Sequence, residues 1–134
     1  MKHNVTTIQC RAEQLKLAGR WKLCDNQRAD AVCNGIGAGW FPPWLRFMLD
    51  QLHPALVPVA WIHDLDYDDG GRWTDRWIAD WRFLRNGVRA AFGTYAVDQM
   101  RRYVVMVDAL RFFVLLRIGG APAFRFTGLK ARKK

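Results

Sequence analysis

Almost no stretch of this 134-residue sequence alternates apolar and polar residues with period two, while glycines and prolines cut it into pieces of helical length. Folds built from half-buried strands need that alternation, so the pattern predicts a mainly α fold of about five helices. The first runs from about Thr7 to Leu17 and ends at Gly19. An irregular stretch from Gly19 to Gly39 follows and holds the cluster CNGIGAG. Pro42 and Pro43 open a second helix through about Leu52, since proline is tolerated in a first turn, and His53-Pro54 closes it. A third starts near Pro58 and stops at Gly70-Gly71. Thr74 is the expected N-cap of a fourth, with Asp75 near its positive end and Gly87 as its stop. Thr94 caps a long fifth helix that reaches Ile118 before Gly119-Gly120. The length fits a single domain over residues 1–134, with an N-terminal helix and glycine-containing loop (1–39), a helical core (40–120) and a basic tail (121–134).

Seven tryptophans and eight phenylalanines provide core material without disulfides. The three cysteines, Cys10, Cys24 and Cys33, form no CxxC pair and read as small core residues. The N-terminus lacks the apolar region of a secretory signal, and Asp108, Arg111 and Arg117 interrupt the longest apolar run. A soluble protein synthesised in the cytoplasm is therefore expected, one that can act peripherally at a membrane. The net charge of +9 is unevenly spread. Residues 1–70 carry seven Lys and Arg against eight Asp and Glu, whereas residues 71–134 carry fourteen against four. The basic half suits an anionic partner, and its interspersed Trp and Phe favour a phospholipid surface over a nucleic-acid groove. A solvated arginine-rich helix face accounts equally well for the charge.

Against that basic background, WIHDLDYDDGG at residues 61–71 concentrates one histidine and four carboxylates. On a helix His63 and Tyr67, four apart, share a face, while the adjacent His63 and Asp64 point roughly 100° apart. One adjacent pair can therefore serve two centres, the imidazole aimed at a substrate and the carboxylate at a metal. A histidine that activates water benefits from a second carboxylate on its other nitrogen. Asp80, between Trp77 and Phe83 on the expected buried face of the fourth helix, can supply it if the third and fourth helices pair antiparallel across Gly70-Gly71.

HDLDY followed by IADWRF resembles the His-Asp-x-x-Tyr and Ala-Asp-x-x-Phe pattern of the phospholipase A2 superfamily, most closely its disulfide-poor bacterial and parvoviral-capsid branches. The broader run from Phe41 to Leu84 also resembles a family of small uncharacterised phage and prophage proteins with the same two helices. The resemblance implies that His63 is the base that activates water, Asp80 its orienting partner and Tyr67 a hydrogen-bonding support. It makes Asp64 the side-chain ligand of a Ca²⁺ that polarises the ester carbonyl. Backbone carbonyls of an x-x-Gly-x-Gly loop would complete the shell, at Cys33, Gly35 and Gly37 or, two residues on, at the register of Gly37 and Gly39. The activity implied is a calcium-dependent phospholipase A2-like hydrolysis of glycerophospholipid esters, with Arg72, Arg76, Arg82 and Arg85 as headgroup contacts on an anionic membrane. Other phage structural proteins are the further partners implied.

Alternatives use the same residues. Asp64, Asp66, Asp68 and Asp75 fall at positions 1, 3, 5 and 12 of an EF-hand-like loop, but Asp69 replaces the glycine required at position 6. Asp66, Asp68 and Asp69 also suit a simple helix end, His53 a helix-end role, and Trp77, Trp81, Phe83, Phe112 and Phe113 a core. No Walker loop, GxSxG elbow or HExxH is present. The competing function is a non-catalytic virion or accessory protein with a phospholipase-like scaffold and an Arg-rich face that binds protein or nucleic acid.

Overall fold

A computed structural model describes residues 3–33, 36 and 42–127. Within them the chain is mainly α, as the missing period-two pattern implied. Six α-helices are present: α1 (Val5–Gln14), α2 (Asn26–Val32), α3 (Pro43–Leu52), α4 (Val57–Asp69), α5 (Trp73–Thr94) and α6 (Met100–Gly119). Short 3-10 turns precede α2 and α4 and follow α6. No described helix is long and apolar enough to cross a membrane.

The centre of the fold is α4. From Val57 to Tyr67 every residue except Asp64 is buried, so this helix is covered on all sides. Leu56, Val59, Ile62 and Leu65 are completely enclosed. At about 1.5–3 kcal/mol for each such aliphatic side chain, this row is a main source of stability. Helices α1, α2 and α5 pack against it, and α6 packs on the outer side of α5.

The turn between α4 and α5 makes the hairpin. Gly70 has φ +68° and Gly71 φ +135°, both in the left-handed region that glycine tolerates. A Cβ on Gly70 would lie 2.0 Å from the Arg125 carbonyl oxygen, so the chain after α6 is pressed directly onto the turn. There Phe126 forms an isolated bridge with Gly71, and Phe124 is buried against Tyr67 and Ala79. Residues 121–127, expected to begin a basic tail, thus fold back onto the hairpin.

Several boundaries differ from expectation for identifiable reasons. The first helix starts at Val5, capped by the Asn4 side chain, and stops at Gln14. The stretch read as irregular contains α2, whose N-cap Asp25 accepts a hydrogen bond from the Arg28 amide at 3.0 Å. Thr74 does not cap α5. The Asp75 carboxylate instead reaches back to the Arg72 N–H at 2.7 Å, and the helix starts two residues earlier, with Arg72 as its N-cap. Gly87 does not end α5, and Thr94 is its last residue rather than the cap of α6. Cys10 and Cys24 are exposed and Cys33 is half-buried, so none is an enclosed core residue, and all three are free thiols.

Candidate active site at the α4–α5 hairpin

Antiparallel packing of α4 and α5 brings His63 and Asp80 together. His63 Nε2 lies 3.0 Å from Asp80 Oδ1, and both residues are buried, His63 at 5% and Asp80 at 0% exposure. Tyr67, one turn beyond His63, donates its hydroxyl to the same Asp80 oxygen at 2.7 Å. The His63 and Tyr67 rings lie 4.1 Å apart, and Phe83 closes the other side of the imidazole edge-on at 5.4 Å. His63 is therefore fixed by one hydrogen bond and two aromatic walls.

Two arginines complete the cluster. Arg117, near the end of α6, donates to Asp80 Oδ2 at 2.6 Å, and its guanidinium covers the Trp77 ring at 4.3 Å. Arg76 is 2% exposed and lies 3.9 Å from the same oxygen. It donates to the Tyr67 hydroxyl at 3.4 Å and to the Leu116 and Arg117 carbonyls at 2.6 and 3.1 Å. Those carbonyls belong to the last turn of α6, where Leu116 O also accepts the Gly120 N–H at 2.9 Å, so Arg76 adds a side-chain donor to the end of that helix.

Burial alone would push the Asp80 carboxyl up, but hydrogen bonds from His63, Tyr67 and Arg117 outweigh it and hold the group below the usual carboxylate range. Asp80 is thus an anion at neutral pH. Burial pushes the Tyr67 hydroxyl up, reinforced by its bond to Asp80, so it remains a donor. With a carboxylate at Nε2, the ring carries its proton there and keeps the Nδ1 lone pair for another proton.

Asp64 is half-buried on α4. Cys33, at the end of α2, donates its thiol to the Trp61 carbonyl at 3.4 Å. Burial pushes that thiol up, and the Asp64 charge adds to it, so the start of the glycine loop lies beside α4 within reach of the Asp64 field. A carboxylate and a loop carbonyl are the hard oxygen donors that Ca²⁺ prefers. Gly35 and Gly37, like Gly39, fall outside the described residues. Among the described residues no three His, Cys, Asp or Glu side chains gather as a metal-ligand group.

The remaining acids of the stretch hold the chain together. Asp66 Oδ1 takes Lys22 and Arg82, both at 2.5 Å; Asp69 takes Lys22 and Arg28; Asp68 takes Arg28 at 3.0 Å and Arg125 at 2.7 Å. Four basic side chains thus occupy Asp66 and Asp68, two of the carboxylates that an EF-hand would need, and Asp64, Asp66 and Asp68 lie on a helix instead of a loop. Of the four arginines expected at a lipid headgroup, Arg72 and Arg85 are exposed, Arg82 is paired with Asp66, and Arg76 is buried within the cluster.

Sequence reasoning placed His63, Tyr67 and Asp80 and missed Arg117. Its available signal was an arginine in the last turn of a helix, where a cation suits the negative end of the dipole. Two cavities border the hairpin. One of about 750 Å³ is lined by Gly71, Arg72, Trp73, Ala121 and Phe126, and one of about 170 Å³ by Lys22, Asp66, Asp69, Asp75 and Arg82. His63 lines neither. Compared with known proteins, the chain matches no family model, no curated protein and no solved structure.

Proposed function

We propose that the chain is a calcium-dependent phospholipase A2-like hydrolase acting on glycerophospholipid esters, phage-encoded as its sequence resemblance implies. The observation that carries this reading is the buried His63–Asp80–Tyr67 cluster, with Nε2 engaged and Nδ1 left as the base. Nδ1 removes a proton from water as its oxygen attacks the ester carbonyl, and the proton then passes to the departing alkoxide. Asp80 stabilises the transient imidazolium and fixes the ring, while Tyr67 and Arg117 fix Asp80. Asp64 and backbone carbonyls of the loop that begins at Cys33 would hold a Ca²⁺, which would supply Lewis-acid polarisation of the ester carbonyl. Exposed Arg72 with the adjacent exposed Trp73, and exposed Arg85 further along α5, suit an anionic lipid surface.

A second reading has its own support. His63 is 5% exposed, which favours a scaffold that uses its arginine-rich face to bind protein or nucleic acid. The test is fatty-acid release from mixed anionic phospholipid vesicles, with Ca²⁺ or excess chelator, comparing wild type with His63→Asn. Calcium-dependent release that the variant lacks is expected of the hydrolase. Absence of release from folded wild type, together with salt-sensitive DNA binding, would replace it by the scaffold.

A further inference from the structure

Helix α6 is apolar on two opposite faces, and among the described residues only one of them is packed against another element. Val105 and Ala109 point into the protein against α5, with Phe112 and Leu116 partly covered beside them. On the other side Met100, Tyr103, Val104, Val107, Leu110, Val114, Leu115 and Ile118 are 45–79% exposed. A helix apolar all round is normally enclosed all round. Eight side chains exposed to this degree present an area of the order of the roughly 800 Å² each partner contributes to a stable interface. An apolar surface of that size on a soluble chain marks a contact site.

The outer face carries its own register. Met100, Val104, Val107, Arg111, Val114 and Ile118 are spaced four, three, four, three and four residues apart, the seam along which two helices interlock. One polar residue interrupts it. Arg111, whose side chain is 73% exposed, lies mid-seam and pairs with Asp108 on its own helix at 3.1 Å. In a parallel pair two Arg111 side chains would face one another at the same level, which like charges oppose.

We propose that this face binds a second copy of the same chain, α6 against α6, antiparallel about a two-fold axis at the level of Ala109. In that register Val104 faces Val114 of the second copy, Ile118 faces Met100 of the second copy, and Arg111 falls beside Val107 and Asp108 of the second copy. Two Asp108–Arg111 pairs then form one ring of alternating charge around the axis, the self-complementarity that a two-fold contact requires. The seam stays continuous apart from this one polar layer, which sets the direction of pairing. The inference is independent of the hydrolase reading, since no residue of the outer face belongs to the His63 cluster.

Sedimentation of the full chain from low to high micromolar concentration, without lipid, tests it. Wild type is expected to shift from monomer to dimer, and Val107→Arg, a change at a 47%-exposed position, to remain monomeric at every concentration with unchanged helical circular dichroism. Arg111→Asp gathers four carboxylates at the axis and is expected to be monomeric, whereas Arg111→Leu removes the polar layer and is expected to dimerise at least tenfold more tightly. A wild type that stays monomeric throughout overturns the proposal. So does association that Val107→Arg leaves intact. Monomeric wild type whose binding to phosphatidylglycerol vesicles is lost in Val107→Arg would assign the face to lipid instead.

Discussion

Asp80 concentrates the electrostatics of the cluster. It is fully buried, yet one histidine, one tyrosine and one arginine donate to it, and a second arginine lies close by. Replacing it with Asn leaves Arg117 and Arg76 without their anion, and breaking a buried pair from one side costs about 3 kcal/mol or more. The pH dependence has a definite sign. A carboxyl group held below its usual value binds its proton less tightly in the folded state than in the unfolded chain, where the pKa is about 3.9. Its contribution is therefore fully present above about pH 4 and is lost as the pH falls through the depressed folded value. Urea midpoints of wild type and Asp80→Asn should differ most at pH 6–7 and converge below pH 4. A gap that stays constant down to pH 3 would mean that the charge of Asp80 contributes nothing. The positions of His63, Tyr67 and Asp80 were legible because helical spacing alone puts the first two on one face and a buried acid demands a partner. Arg76 was misread as a surface group. It is four residues from Asp80, and that i,i+4 relation was the available clue.

At the level of elements, the helix starts and stops written as proline were read correctly, whereas those written as glycine were ambiguous. Pro43 begins α3 as expected, since its fixed backbone angle and missing N–H suit a first turn alone. Gly87 has the composition of a stop and the role of a notch. A Cβ there would approach the Ala109 Cβ to 2.7 Å, so the glycine lets α5 and α6 cross closely in mid-helix. Sequence periodicity cannot distinguish the two roles, because close approach depends on a helix that lies distant in the chain. The prediction has two opposing terms. Alanine is the better helix former by about 1 kcal/mol, but a methyl forced into a packed contact typically costs 1–3 kcal/mol. The atom it meets is itself a rigid Cβ, so the clash prevails, and Gly87→Ala should lower stability by about 1–2 kcal/mol. In an Ala109→Gly background the space is restored, and the same substitution should become neutral or stabilising. A double-mutant cycle of thermal or urea melts reads the coupling, and additive effects would show that the two helices have room to separate.

Across the whole molecule, the acids at the end of α4 join segments that the hydrophobic core alone would hold loosely. Lys22 and Arg28 come from the N-terminal region, Arg82 from α5 and Arg125 from the segment after α6, and all four converge on Asp66, Asp68 and Asp69. The sequence displayed the acids and the basic residues but not their pairing, because the partners are up to 57 positions apart, the separation from Asp68 to Arg125. Such pairs matter according to burial. Exposed ones contribute little, whereas the Asp66 side chain is 5% exposed and its two partners 17% and 24%. Asp66→Asn should therefore cost about 3 kcal/mol, because the largely buried Arg82 loses its carboxylate partner and Lys22 keeps only Asp69. That loss should not be uniform. The contact between α5 and α6 has its own anchors, Gly87 against Ala109 and Asp80 with Arg117, whereas the Lys22 turn lies between α1 and α2 and packs on both. In Asp66→Asn, amide exchange corrected for intrinsic rates should accelerate first in α1 and α2 under native conditions, with α5 and the buried face of α6 retaining wild-type protection until global unfolding. Lys22→Met, which keeps the apolar stem and removes the charge, should accelerate the same amides by a smaller factor, since Arg82 still neutralises Asp66. Equal acceleration of α1, α2, α5 and α6 in both variants would show instead that the molecule opens as one cooperative unit.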